Sequence, residues 1–167
     1  MLRHSTTRRG LLVGPALMAL VLAASGCSST PAVVLDAPPA DMYLAMTKDM
    51  DHRGGSAAVF EATANRQEER FEEMMRRAVA GEFTTAEEHF YAGAILVRSS
   101  DIDHLLMAES LGRRAAILGD RRGRPVAGEA VDRQAMVNGL PQKYGTQYTY
   151  AEVTGHWQIY RLDPSTT

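Results

Sequence analysis

One cysteine, Cys27, stands in 167 residues. The chain can therefore form no internal disulfide, and the mature fold must be held by its core. Long apolar runs are also missing. The longest, Leu11 to Ala24, is interrupted by Gly14 and Pro15, and a helix of that length spans about 21 Å against a hydrocarbon core of roughly 30 Å. That excludes an ordinary permanent transmembrane helix. The basic excess that would suit a nucleic-acid partner is absent as well, with 18 Lys and Arg against 20 Asp and Glu. There is no Gly-x-Ser-x-Gly elbow, no phosphate-binding Gly-rich loop and no Gly-x-Gly-x-x-Gly string. Paired histidines at helical spacing are lacking too. Of the two Asp-x-Asp-His strings, Asp49 to His52 lacks the acids at the fifth and twelfth positions of a calcium loop, and a helix N-cap explains the acids of Asp101 to His104. No segment recurs at a fixed period, which argues against a repeat array. No cofactor or metal is implied.

What is present begins with an address. Arg3, Arg8 and Arg9 precede the short apolar run, and Ala24-Ser25-Gly26 lead directly into Cys27. Basic start, short apolar stretch and small residues are the layout of a cleaved export signal. Small residues before a cysteine resemble the lipobox of bacterial lipoproteins, although Ala24 stands where Leu is commonest. The resemblance implies acylation of Cys27 and cleavage before it. Two or more acyl chains anchor a protein stably where one does not. The expected partner is thus the lipid bilayer, with an extracytoplasmic location. Ser28, in place of the Asp that resembles an inner-membrane retention signal, points to the periplasmic face of the outer membrane in a Gram-negative cell. Removing residues 1–26 leaves 15 basic and 20 acidic side chains, a net −5. Residues 27–39 read as the acylated cysteine and a Pro-containing tether, and residues 40–167 as one domain.

Within that domain the pattern is mainly α. A short helix is expected from Ala40 to Lys48, then a loop through Arg53-Gly54-Gly55-Ser56. Ala57 to Ala80 shows helical periodicity, with Phe60, Ala64, Phe71, Met74, Met75, Ala78 and Val79 as its inner face. Arg66 and Arg70 fall on the charged, solvated side, where Glu72 with Arg76 and Glu73 with Arg77 have favourable spacing. Gly81 suits a left-handed cap. Thr85-Ala-Glu-Glu88 is a capping box opening a helix to about Val97. Asp101 caps the next, Ile102 to Leu118, expected to bury Leu105, Leu106, Leu111, Ala115 and Leu118 and to stop at Gly119. A last helix runs from Pro125 to Asn138, with Gly139 as its cap and Pro141 forbidding continuation. From Gln147 the period changes to 2, and Gln147–Val153 and His156–Leu162 read as a β-hairpin. A lone hairpin is marginal in water, so Trp157 and Ile159 are expected to pack it on the helices. The fold predicted is an antiparallel array of about four to five helices closed by a C-terminal hairpin.

The densest polar segment is the loop after the last helix. Asp132, Arg133, Gln142, Tyr144, Thr146 and Gln147 collect hydrogen-bonding groups around Gly139, Pro141 and Gly145. The Pro-Gln-x-Tyr-Gly-Thr-Gln string, with Asp132-Arg133 and Gly139, resembles a group of uncharacterised bacterial proteins, the DUF6624-like family. Looser similarity runs from Asn65 to Thr167, including Thr84-Thr85-Ala86-Glu87 and Trp157 with Asp163-Pro164. The resemblance implies a mostly helical domain with this segment near its C-terminus. Histidines that the family tends to carry are replaced here by residues near Arg98 and Ala108. Two readings stay open. Side chains of Arg133, Gln142, Tyr144 and Gln147 converging on one cleft would make a ligand site or an enzyme. The same groups buried and bonded to nearby backbone would make a lock between hairpin and helices. A basic cluster, Arg113, Arg114, Arg121, Arg122 and Arg124, either complements a helix C-terminus or contacts anionic envelope polymer or lipid headgroups. The leading expectation is an envelope binding domain whose partner is a protein or polymer, with an enzyme or small-ligand protein as the alternative.

Overall fold

A computed structural model describes residues 33–51 and 56–166. The signal segment, Cys27, Ser28, His52 and the Arg53-Gly54-Gly55 loop lie outside the described residues. Five helices follow in order, α1 Pro39–Asp51, α2 Ala57–Val79, α3 Ala86–Leu96, α4 Ile102–Ile117 and α5 Gly123–Val137. An antiparallel hairpin, β1 Tyr148–Ala151 and β2 His156–Ile159, and a 3-10 turn at Pro164–Thr166 complete the fold. The protein is mainly α with a C-terminal hairpin, as the periodicity predicts.

The helix ends follow from local chemistry. The Thr85 hydroxyl accepts from the Glu88 amide at 3.2 Å, and the Glu88 carboxylate accepts from the Thr85 amide at 2.9 Å. Asp101 caps α4 by accepting from the amides of Asp103 and His104 at 2.7 and 3.3 Å. Helix α2 ends on Gly81 at φ +70, where the Glu82 amide reaches back to the Arg77 carbonyl. Helix α5 ends the same way on Gly139, with the Leu140 amide on Ala135.

Helix α3 is the central element. Ala92 through Leu96 are buried consecutively, a run apolar on every side, with α1, α2, α4 and α5 all packed against it. Met42 and Met46 of α1, Phe71 and Met74 of α2, Leu111 of α4 and Val126 and Ala130 of α5 complete the core. Helices α4 and α5 approach backbone to backbone. A Cβ on Gly112 would lie 2.8 Å from the Ala127 nitrogen and the Gly123 oxygen, and one on Gly123 would strike the Gly112 oxygen. Only glycine permits that approach.

Four expectations are corrected. First, the inner face of α2 is not the one the periodicity predicts. Phe60 and Val79 are exposed, while Thr63 and Arg70 are buried. The cause is Asp49 of α1, which takes a two-point bond from Arg66, at 2.9 and 3.1 Å, and a third from Arg70 at 2.6 Å. Burial raises the Asp49 carboxyl, but the bonds and charges of the two guanidinia outweigh it and hold it below the ordinary range. On the solvent side Arg76 bonds Glu73 and Glu82, and Arg77 bonds Glu82, in place of the i,i+4 pairs. Second, Leu106 and Leu118 of α4 are exposed, because the seam with α5 is made by small residues instead. Third, the folded unit begins before residue 40. Val33 and Ala37 pack on the core, and the Ala37 carbonyl accepts from Arg77 at 2.9 Å. Fourth, the hairpin does not lie on the helices. Among the described residues neither strand rests against a helix, and Trp157 and Ile159 are 71% and 45% exposed.

Candidate functional site

The loop from Gly139 to Gln147 explains how a hairpin without helix contacts is held. Asp132, wholly buried on α5, accepts four hydrogen bonds from this loop. One oxygen takes the amides of Lys143 and Tyr144 at 2.7 and 2.8 Å. The other takes the Thr146 amide at 2.9 Å and its hydroxyl at 2.8 Å. Charge-assisted bonds of this kind are about twice as strong as neutral ones, so one carboxylate fastens the loop to α5. Gly145 makes the turn between them at φ +73, where a Cβ would meet Ile159 at 3.0 Å.

Gln142 joins the loop to the hairpin. It too is wholly buried. Its Oε1 accepts from the Gln147 amide at 2.8 Å, and its Nε2 donates to the carbonyls of Gln147 and Tyr160 at 3.0 and 2.7 Å. Its backbone forms a bridge to the chain leaving β2, receiving from Asp163 and donating to Arg161. Asp132, Gln142 and Thr146 are thus spent on internal bonds, and Gly145 on the turn between them.

The remaining candidates face elsewhere. Arg133 turns to the α3–α4 connection and donates to the Ser99 carbonyl at 2.9 Å; burial pushes its guanidinium down. It borders a cavity of about 440 Å³ with Phe60, Phe71 and Ser99, and a smaller one of about 250 Å³ that it shares with Gln147 and Met136. Gln147 donates to the Thr146 hydroxyl at 3.1 Å. Tyr144 points outward over Gly128 and, with Thr146, walls a cavity of about 790 Å³ between the end of α4 and the start of α5. Ala116, Ile117, Pro125 and Ala127 supply apolar walls, and Arg113 and Arg124 stand beside them. The six candidate residues therefore divide among an internal lock, a shallow recess and an open cleft. They do not converge on one cleft.

Asp49, Asp101 and His104 of the Asp-x-Asp-His strings also have structural partners, while His52 lies outside the described residues. Asp49 is bonded by Arg66 and Arg70 and Asp101 caps α4. His104 is buried, with Nδ1 2.9 Å from the Ser99 hydroxyl and its ring 5.7 Å from Phe71. Among the described residues no three His, Cys, Asp or Glu side chains could hold a metal ion.

A surface the sequence reading passed over is the hairpin face. The register pairs Tyr148 with Ile159 and Tyr150 with Trp157. Residues two apart share a face, so Tyr148, Tyr150, Trp157 and Ile159 lie together, while Thr149, Ala151, His156 and Gln158 take the other side. All four members of the apolar face are exposed, and Tyr150 and Trp157 meet edge to face at 5.5 Å. The alternation was readable in the sequence; the exposure of this face among the described residues was not. No protein-family model, curated protein or solved structure matches the chain.

Proposed function

We propose that the protein is a lipid-anchored extracytoplasmic binding module, tethered through Cys27, that engages a partner protein at the cell envelope through its C-terminal hairpin. The observation that carries this reading is the exposed face of Tyr148, Tyr150, Trp157 and Ile159. Apolar side chains gathered on one exposed face mark an interaction site. Trp and Tyr supply large contact area and dominate interface hot spots. The lock beneath them, Asp132 and Gln142, fixes the position of the hairpin relative to α5 and so would present the face with little ordering cost on binding. On this reading the Pro-Gln-x-Tyr-Gly-Thr-Gln string shared with the DUF6624-like proteins is a device for mounting the hairpin.

The test is a crosslinked pull-down from intact cells with the wild type and a Tyr150→Ala/Trp157→Ala variant. Loss of a captured protein from the variant, at unchanged melting temperature, is the expected result. An identical set of captured proteins would exclude the hairpin as the docking face.

A second reading rests on the cleft walled by Tyr144, Thr146 and Ile117. Its apolar walls beside Arg113 and Arg124 suit a small ligand with an apolar body and an anionic group. A thermal-shift screen with such amphiphiles, repeated on Arg124→Ala, separates this reading from the first, because the hairpin variant would leave the shift unchanged.

A further inference from the structure

The arginines around the α4–α5 turn have a place in the fold that the sequence does not show. Arg122 lies 4.1 Å from the centre of the Phe90 ring and 3.3 Å from the Tyr91 hydroxyl. Tyr43, near the start of α1, meets the same two rings at 6.5 and 5.5 Å. Arg77, near the end of α2, donates to Ala37 just ahead of α1. The start of α1, the end of α2, the start of α3 and the α4–α5 turn therefore share one end of the bundle. Val33, the first described residue, is packed against the core close to the start of α1. Five residues lie between it and Cys27, six steps along the chain with a reach of at most about 22 Å.

The charges of that end do not cancel locally. Glu109 holds Arg113, Asp120 and Glu87 hold Arg122, and Glu82 holds Arg76 and Arg77. Arg114, Arg121 and Arg124 are exposed, and among the described residues none has an acidic partner within ion-pair distance. Asp36 and Asp41 belong to the α1 side of this end, which leaves the α4–α5 side positive. Aliphatic groups share that side, with Ile117 75% and Leu118 40% exposed. Aliphatic side chains flanked by guanidinia match a lipid headgroup layer, where arginine bonds phosphate and the aliphatics enter the acyl boundary.

We propose that the α4–α5 turn, through Arg114, Arg121, Arg124, Ile117 and Leu118, seats on a bilayer containing anionic phospholipid and fixes which end of the domain faces the membrane. The proposal rests on the lipid-anchor reading for the closeness of the surface. The chemistry of the patch is independent of it.

The test uses the full acylated chain in vesicles. An introduced cysteine, at Leu118→Cys or at Ser100→Cys on the opposite end, carries a fluorophore, and a lipid-borne nitroxide serves as quencher. Stronger quenching at 118 than at 100 is expected in phosphatidylethanolamine vesicles containing phosphatidylglycerol. Seating should weaken roughly fivefold for each arginine removed, so an Arg114→Gln/Arg121→Gln/Arg124→Gln background, and high salt, should abolish the difference. Equal quenching at the two positions overturns the proposal, as does a difference that survives in pure phosphatidylcholine and in the triple variant. Fatty-acid labelling, with Cys27→Ser as control, reports on the anchor separately. If the wild type takes no label, the anchor reading fails, and the patch is tested by sedimentation with phosphatidylglycerol vesicles. Retention that depends on the three arginines then supports it, and equal retention of wild type and triple variant overturns it.

Discussion

Asp132 is the residue on which the C-terminal third depends. Three backbone amides and one hydroxyl converge on its carboxylate inside the protein. Removing it leaves four partly buried donors without their acceptor, at a cost that mutational series place at ~1–3 kcal/mol per stranded buried group. Asp132→Ala is therefore expected to destabilise by at least about 3 kcal/mol, read from denaturant midpoints. Asp132→Asn should also fail to restore the wild type, since an amide nitrogen in either position would face an N–H. A full rescue by Asn would contradict this account of the lock. Gly112 is the second such residue. Alanine normally improves a helix interior by about 1 kcal/mol, but here its Cβ would lie 2.8 Å from backbone atoms of α5. Overpacking of that kind costs ~1–3 kcal/mol, so Gly112→Ala should lower the melting temperature despite its better propensity.

At the scale of elements, local sequence was a good guide wherever local bonds decide. The capping box at Thr85, the cap at Asp101 and the left-handed glycines 81, 119 and 139 are all where the residues put them. Glu88 gives a measurable consequence. The amides of Thr84 and Thr85 hold its carboxyl at about 2, against an ordinary value of 4.5. Its folded-state value is lowered, so the stabilisation is complete above the unfolded value and is lost as pH falls through about 2. The gap in stability between wild type and Glu88→Gln should thus be widest near neutrality and narrow between pH 4.5 and 2; a pH-independent gap would contradict the capping geometry. Periodicity was a weaker guide. It assigned Phe60 to the core and Arg70 to solvent, and the two are reversed, because a single carboxylate on α1 draws the guanidinia of Arg66 and Arg70 inward against the apolar pattern of α2.

For the molecule as a whole, the proposed reading puts a lipid anchor, the helical body and the hairpin in series. Cys27→Ser should leave the folded body intact by circular dichroism but remove fatty-acid labelling and release the processed protein from membranes. Continued labelling would end the lipoprotein reading. No helix among the described residues is long and apolar enough to cross a membrane. The body carries two exposed surfaces of different chemistry, an aromatic hairpin face and a basic, aliphatic end.

The sequence alone determined what depends on near neighbours: helix starts and stops, the strand pair, and the mainly α class. These rest on backbone bonds and dihedral preferences within a few residues of each other. It also drew attention to the Pro-Gln-Lys-Tyr-Gly-Thr-Gln loop, but left open whether that loop binds a ligand or the protein itself. Only the tertiary structure decided that Asp132, 10 residues before Gln142 in the chain, turns inward and binds the loop. It alone placed Arg133 on another face and left Trp157 uncovered. The direction of a side chain around a helix end, and the presence or absence of a neighbour to cover it, depend on residues distant in the chain. Local sequence carries no record of them.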